Sequence, residues 1–398
     1  MNRYKLKQTN LRHLYLLMLA ALILTTAGCG ASSPYYKHAE ERPDYRATEL
    51  PVPDNQFTLF LIGDTGDPST EPLEPNLAAL RRQLEEAGKH SAVVFMGDNI
   101  YTHGLLPEGH PERGDSERRI DTQLHILKGY PGRAFFIPGN HDWNNSEPNG
   151  LESILRQQNY IESESGGRIS FLPDNGCPGP VEVTLDSSNT LLLLDTSWWL
   201  YPHEKPGPDA CSAGSEGLFI QAVDSLVRQN LDRNLFIAAH HPIFSNGTHG
   251  GYSPFTDHVF PLLRVHDALY IPLPVIGSAV PLYRKFVGYP QDLPYKDYKR
   301  LREQLIRIFQ QHPRLTYASG HDHSLQYHPV DGRHYIISGS GTVESYVRRG
   351  KTAAFAYKHK GFARIDINET GVVLSFWTPE DDNPQGKPVY RRVLYTNP

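Results

Sequence analysis

Five short apolar runs in this chain of 398 residues each end at a small residue that is followed by side chains able to bind a metal ion. The five endings are Gly63-Asp64, Gly97-Asp98, Gly139-Asn140-His141, Ala239-His240 and Gly320-His321-Asp322-His323. Short continuous apolar runs are typical of buried β-strands, and glycine lets the backbone turn sharply where such a strand ends. A single Gly-Asp pair would indicate only a turn. Their repetition predicts that polar ligands from separate strands meet at one edge of a sheet.

Helical patterns alternate with these strands. Between the strands predicted at 57–62 and 91–96, Leu77, Leu80 and Leu84 recur at helical spacing. The other predicted helices are 117–127, 217–229 and 297–309, and the other predicted strands are 133–138, 169–172, 181–185, 191–194, 235–239, 315–319, 334–338, 360–367 and 372–377. This alternation predicts an α/β fold with its site at the carboxyl ends of the strands. We expect the last three strands to complete a second sheet.

The first 28 residues have the features of a signal peptide. A basic start precedes the apolar stretch from Leu14 to Leu24, which is shorter than the ~20 residues of a membrane-spanning helix. The stretch runs into Thr26-Ala27-Gly28-Cys29, which resembles a bacterial lipobox. This resemblance implies that Cys29 is lipidated and anchors an exported protein in the cell envelope, at the outer membrane or the periplasmic face. A soluble secreted protein and an uncleaved anchor are the alternatives.

The rest of the chain divides into a tether and one domain. Residues 29–56 are polar and aperiodic, so we interpret them as a tether before a domain at 57–398. An excursion at about 151–217 holds Cys177 and Cys211, a possible disulfide because disulfides persist in exported proteins. An insertion at about 254–296 is apolar and proline-rich. We consider three interpretations of this insertion: a lid over the site, a membrane-facing patch or a packed loop.

The overall composition limits the possible partners. At 39% hydrophobic and 21% charged residues, the chain has the composition of a globular protein. Its formal net charge of -5 argues against nucleic-acid binding, which needs a basic surface.

The five motifs resemble those of the purple acid phosphatases, a branch of the calcineurin-like metallophosphoesterases. They also occur in the same order as in that branch. In this branch a tyrosine replaces a histidine of the first motif as a ligand. Here Gly66 stands at the histidine position, and Tyr101 follows the second motif. The resemblance implies a four-layer αββα sandwich, in which two mixed β-sheets are flanked by helices.

The resemblance also implies a site with two metal ions. Asp64, Tyr101 and His323 would hold Fe(III), and Asn140, His240 and His321 would hold a divalent ion, which could be Fe, Zn or Mn. Asp98 would bridge the two ions. His141 and His249 resemble the family's catalytic histidines, which bind phosphate and protonate the leaving group, whereas His241 is interpreted as structural.

The implied activity is that of an acid phosphatase. A metal-bound or metal-bridging hydroxide would attack a small phosphomonoester in line with its leaving group. One alternative is a phosphodiesterase that acts on nucleotides or phospholipid headgroups. Another is a non-catalytic surface lipoprotein on the same scaffold. The physiological substrate and the oligomeric state stay open.

Overall fold

Two mixed β-sheets form the centre of the computed structural model, which describes residues 30–39, 42, 56–266 and 268–396. The predicted signal peptide and the candidate lipidation residue Cys29 lie outside the described residues. Within the described part of the chain, no helix is both long and apolar enough to span a bilayer.

The first sheet has seven strands. Four of them are parallel neighbours: β2 (Phe57–Ile62), β3 (Ser91–Met96), β4 (Arg133–Ile137) and β5 (Ile169–Phe171). Three antiparallel strands extend the sheet beyond β2: β13 (Phe362–Asn368), β14 (Gly371–Glu380) and β15 (Asn383–Thr396). The carboxyl ends of β2, β3 and β4 therefore lie side by side.

The second sheet has eight strands. Its parallel centre consists of β7 (Asn189–Leu193), β8 (Asn234–Ala238), β9 (Leu315–Ser319) and β11 (Arg333–Ser338). Antiparallel strands flank it: β6 (Val181–Thr184) on one side, and β10 (Leu325–Val330), β12 (Phe355–Tyr357) and β1 (Tyr35–Tyr36) on the other.

The helices complete the four predicted layers. They are α1 (Pro75–Ala87), α2 (Arg113–Ile126), α3 (Gly150–Glu164), α4 (Thr196–Leu200), α5 (Glu216–Gln229), α6 (Phe255–Val259), α7 (Ala279–Phe286) and α8 (Lys296–Phe309). Successive side chains of a strand point to opposite faces. On β2, Phe60 and Ile62 pack in a cluster with helix residues, whereas Leu59 and Leu61 pack against the second sheet. The predicted sandwich is confirmed.

Parts of the predicted domain plan need correction. Residues 30–39 belong to the fold and not to a tether, because Ala31 is buried and Tyr35 pairs with Ala356 of β12. The excursion at 151–217 is integral, since it contributes β5 to one sheet and β6 and β7 to the other. Of the three strands expected in the second sheet, only β11 lies there. The other two, β13 and β14, belong to the first sheet, because β13 pairs antiparallel with β2.

Two further features complete the layout. Cys177 and Cys211 are disulfide-bonded, with their Cα atoms 5.6 Å apart. The insertion at 254–296 folds into α6, a 3-10 turn and α7. Its last residues return to the strand ends, where Leu293 donates its backbone N–H to the carbonyl of His249 at 2.8 Å.

Candidate metal centre

The predicted ligands lie on five loops that follow β2, β3, β4, β8 and β9. Backbone hydrogen bonds hold these loops together. The N–H of Asp64 donates to the carbonyl of Gly97 at 2.9 Å, and the N–H of Gly320 donates to the carbonyl of His240 at 3.0 Å. The bond from Asp64 joins two loops of the first sheet, and the bond from Gly320 joins two loops of the second sheet. Each sheet thus presents its own ligands as a rigid group.

Three of the candidate ligands have left-handed backbone conformations. The φ angles are 59° at Asp64, 53° at Asp98 and 70° at His321. Such angles are uncommon for residues other than glycine and are concentrated at functional sites. Gly97, directly before Asp98, also has a positive φ of 85°. A Cβ at Gly97 would lie 2.6 Å from Nδ1 of His240, so glycine is required there for the strands to approach.

One group of donor atoms comes from Asn140, His240 and His321. Nε2 of His240 lies 3.0 Å from Oδ1 of Asn140 and 3.1 Å from Nδ1 of His321. Nε2 of His240 also lies 3.5 Å from Oδ2 of Asp98. All four side chains are buried. The three neutral donors and one carboxylate converge as the resemblance implies.

The outer hydrogen bonds of the two imidazoles determine which nitrogens carry protons. Nδ1 of His240 donates to the carbonyl of Met96 at 2.9 Å, and Nε2 of His321 donates to the carbonyl of Gln291 at 2.8 Å. Burial lowers the pKa of His321 well below its usual value, and His249 and His241 lower it further, so this ring is neutral. Its Nδ1 lone pair then faces His240. Such backbone carbonyl partners are typical of metal-binding histidines, and the donor set fits a divalent ion.

A second group of donor atoms comes from Asp64, Tyr101 and His323. The Tyr101 hydroxyl lies 3.1 Å from Oδ1 of Asp64 and 3.2 Å from Nε2 of His323. Nε2 of His323 lies 3.4 Å from the same Asp64 oxygen. Ligand atoms of Asp64, Asp98 and His240 all lie within 4.8 Å of one another. The two donor groups therefore meet at Asp98.

The second group fits a strongly charged cation. Burial raises the pKa of Tyr101 well above its usual value, and the carboxylates of Asp64 and Asp98 raise it further. Only a nearby positive charge would ionise this phenol. Phenolate and carboxylate oxygens are hard donors, which suit a trivalent ion better than soft ligands do.

The two predicted catalytic histidines border the donor groups. Nδ1 of His141 donates to the carbonyl of Thr102 at 2.7 Å, and its Nε2 lies 3.8 Å from Oδ2 of Asp98. Nδ1 of His249 lies 3.0 Å from Oδ1 of Asp292, and its ring lies 4.0 Å from that of His321. Both rings are partly exposed, whereas the ligand His240 is fully buried. Each ring therefore lies at a partly exposed edge of the candidate metal centre.

Several residues that support the site were not predicted as such. The buried carboxylate of Asp142 accepts hydrogen bonds from the N–H groups of Asn99 at 3.0 Å and Gly139 at 2.7 Å, which ties two ligand loops together. Asp322 accepts the N–H of His249 at 3.0 Å and the hydroxyl of Ser245. Asp322 lies inside a predicted motif and Asp142 directly follows one, and this position was the only signal for them.

The insertion supplies further support that the sequence does not indicate. Arg284 donates to both carboxylate oxygens of Asp292, which is fully buried and also accepts from His249. Burial opposes ionisation of Asp292, but hydrogen bonds from His249 and Arg284 lower its pKa. Asp292 is thus a charged partner that holds the His249 ring.

His241 lies near the ligands but does not face them. Its Nδ1 is 2.9 Å from the Thr196 hydroxyl, and its Nε2 is 2.6 Å from Oε1 of Gln291. Although His240, His241 and His321 are close enough to form a metal-binding group, both His241 nitrogens are already hydrogen-bonded. We therefore keep the structural interpretation.

Comparisons with known proteins agree with this architecture. The model of the calcineurin-like phosphoesterase family matches residues 57–325. No curated protein gives a significant match. A solved structure described as GAP50, the anchor in the inner membrane complex of Plasmodium, aligns with a TM-score of 0.52 and 14% identity. The alignment covers 87% of this chain and 90% of that chain, and it bears on the fold alone.

Proposed function

Because the chain belongs to the calcineurin-like phosphoesterase family, we propose that it hydrolyses small phosphate monoesters at the paired donor groups. The observation that carries this proposal is the convergence of the seven predicted ligand side chains around Asp98. A scaffold kept only for binding would have no need to retain them all. When bound, two metal ions would neutralise phosphate oxygens and lower the pKa of a water molecule.

We further propose the iron-containing branch of the family. Asp64, Tyr101 and His323 would hold Fe(III), and Asn140, His240 and His321 would hold Fe, Zn or Mn in the divalent state, with Asp98 shared. The tyrosine is the discriminating ligand, since its phenol shares 3.1–3.2 Å contacts with Asp64 and His323. A phenolate on a ferric ion would colour the protein.

The two exposed histidines would handle the substrate. The carbonyl of Thr102 orients His141 so that its Nε2 can contact a phosphate oxygen beside Asp98. Asp292 of the insertion orients His249, which follows a strand of the second sheet, through Nδ1 in the same way. A protonated Nε2 on either ring can donate to the departing alkoxide oxygen, a proton transfer that contributes ~10²- to 10⁴-fold to the rate.

The proposed location is the cell envelope, at the outer membrane or the periplasmic face, through a lipid on Cys29. Two observations support it: the lipobox-like sequence and the bonded pair Cys177–Cys211, because structural disulfides persist in exported proteins. The net charge of -5 supports a small phosphorylated substrate over a nucleic acid.

Turnover of p-nitrophenyl phosphate and of its bis-ester tests the reaction class. The proposal expects the monoester to be cleaved faster, with both activities lost after chelation and restored by added metal. Faster cleavage of the bis-ester would favour the phosphodiesterase. Absence of cleavage with metals bound would favour the non-catalytic scaffold.

A further inference from the structure

Exposed apolar side chains are concentrated in the insertion. Of the 13 large apolar side chains exposed in the described part of the chain, 11 lie between residues 255 and 289. Val265 is 76% exposed, Ile276 70%, Tyr270 68% and Phe286 64%. Soluble monomers rarely expose a large contiguous apolar surface without an interaction partner. This segment therefore has the character of a docking surface.

Helix α7 shows how this surface is built. Val280, Tyr283 and Val287, spaced three and four residues apart around the end of the helix, are all exposed. Residues at this spacing share one helical face. Pro281, which lies off this face, is buried in the fold. The apolar face is thus turned outward while the opposite side is held against the fold.

A basic cavity adjoins the same helix. It has a volume of about 530 Å³ and lies between the loop after β8 and the insertion. Its lining includes four cationic side chains and no carboxylate; the cations are Lys285, Lys299, Arg302 and Lys351. Phe286, one of the exposed apolar residues, also lines it. The cavity therefore opens beside the apolar surface.

One cation of this cavity has an anionic partner, since Nζ of Lys299 lies 3.9 Å from Oε1 of Glu303. Nε of Arg302 is buried without a hydrogen-bond acceptor among the described residues. Nζ of Lys285 lies 3.6 Å from the centre of the Tyr252 ring, a cation–π contact that leaves its charge uncompensated. Burial, together with the charges of Arg348 and Lys351, lowers the pKa of Lys285 to about 8. A bound anion would relieve this repulsion.

The N-terminal part of the chain joins the fold at the same place. Gly30, the first described residue, forms an antiparallel β-bridge with Arg348. The Arg348 guanidinium lies 5.3 Å from the centre of the same Tyr252 ring that Lys285 contacts. The end of the chain that the sequence predicts to carry a lipid thus reaches the fold at the rim of the cavity.

We propose that residues 255–289 dock on an anionic lipid bilayer, with a headgroup phosphate in the cavity beside Lys285. Three observations support this occupant over a protein partner. Exposed Tyr and Phe side chains suit the membrane interface, the cationic lining of the cavity complements anionic headgroups, and the N-terminal segment joins the fold beside them. The docking does not depend on the proposed catalytic reaction.

Hydrogen–deuterium exchange of the full chain tests this proposal. It is measured by mass spectrometry without vesicles, with phosphatidylcholine vesicles and with vesicles that also contain phosphatidylglycerol. Peptides covering 265–289 should be protected on the anionic vesicles, and peptides of α3 should not change. Each surface lysine contributes about fivefold to such binding, so Lys285→Gln with Lys351→Gln should raise the lipid concentration needed for half-maximal protection by roughly 30-fold.

Matched variants and alternative outcomes complete the test. Lys89→Gln with Lys128→Gln removes the same charge from exposed positions outside the insertion and should leave the protection unchanged. Ile276→Ser with Phe286→Ser should abolish the protection while hydrolysis of a soluble ester persists. Exchange that is unaffected by vesicles would overturn the proposal. So would protection that appears without lipid and grows with protein concentration, because it would identify a second copy as the occupant.

Discussion

Asp292, which the insertion contributes, lies 3.0 Å from Nδ1 of His249 on the loop after β8. Arg284 holds the same carboxylate, so a helix of the insertion is connected to the edge of the metal centre by two side chains. The segment that lacks any predicted motif is therefore part of the site.

Replacing Asp292 by Asn tests this connection. The neutral amide of Asn would no longer offer His249 a charged acceptor. The kcat for p-nitrophenyl phosphate should therefore fall by about tenfold or more, up to the ~10⁴-fold that a lost proton transfer costs. Metal content should change little, because Asp292 contacts none of the candidate ligand atoms. Asp209→Asn, at an exposed position, is the control. An unchanged kcat would contradict the assigned role of Asp292.

Replacing Gly320 by Ala tests the packing of the ligand loops. The added Cβ would collide with Oδ2 of Asp64, the oxygen that accepts the N–H of His321. A displacement of about 1 Å at a reacting centre can cost ~10²-fold in rate, so turnover should fall by this order. Gly217→Ala adds the same methyl group in open space and should be neutral. Equal activity of the two variants would show that the loops have room to adjust.

The meeting of the candidate ligands at one edge could be predicted because their positions depend on local sequence. Asp64, Asp98 and His321 each follow a glycine at the end of an apolar strand, and parallel neighbours bring such ends together. The backbone carbonyl of Gln291, which orients His321, could not be predicted, since any residue offers that group. The pairing of Tyr35 with Ala356 was missed because two residues are too few for a periodic pattern.

The long C-terminal strand was missed for a different reason. β15 (Asn383–Thr396) contains Pro384, Pro388 and a glycine, residues that argue against a strand. The structure accommodates them with register shifts against β14, one of them between Phe376 and Trp377. At a sheet edge such irregularities are tolerated, because one side of the strand needs no partner.

The disulfide is expected to stabilise the fold without contributing to the reaction. Its cysteines are separated by 34 residues, and closing a loop of this length restricts the unfolded chain. The Cys177→Ser, Cys211→Ser double variant should lose about 2–4 kcal/mol in free energy of unfolding, measured by urea titration. Its kcat should stay near that of the unmodified protein. A loss of activity with full stability would indicate a direct role in the site.

Acid should destabilise the protein through two buried histidines. Burial lowers the pKa of His328 to about 3 and that of His334 to about 4 in the folded chain, from 6.5. As the pH falls below 6.5, the unfolded chain binds protons that the folded chain excludes, so stability is lost. Each histidine should lower the free energy of unfolding by about 2 kcal/mol between about pH 7 and pH 5.

Urea unfolding at these two pH values measures this loss. His328→Gln removes one titrating group and should reduce the difference between the two pH values by about 2 kcal/mol, whatever its effect at neutral pH. His203→Gln, at an exposed position, should leave the difference unchanged. A His328→Gln protein with the full pH dependence would contradict the assignment to this residue.

The metal content of the full chain, purified without chelator, tests the proposed paired-ion site most directly. Elemental analysis should find two ions per chain, one of them iron, together with a visible absorption band that disappears in Tyr101→Phe. A colourless protein with only Zn or Mn would contradict the iron branch. Full phosphatase activity with fewer than two ions per chain would contradict the paired site itself.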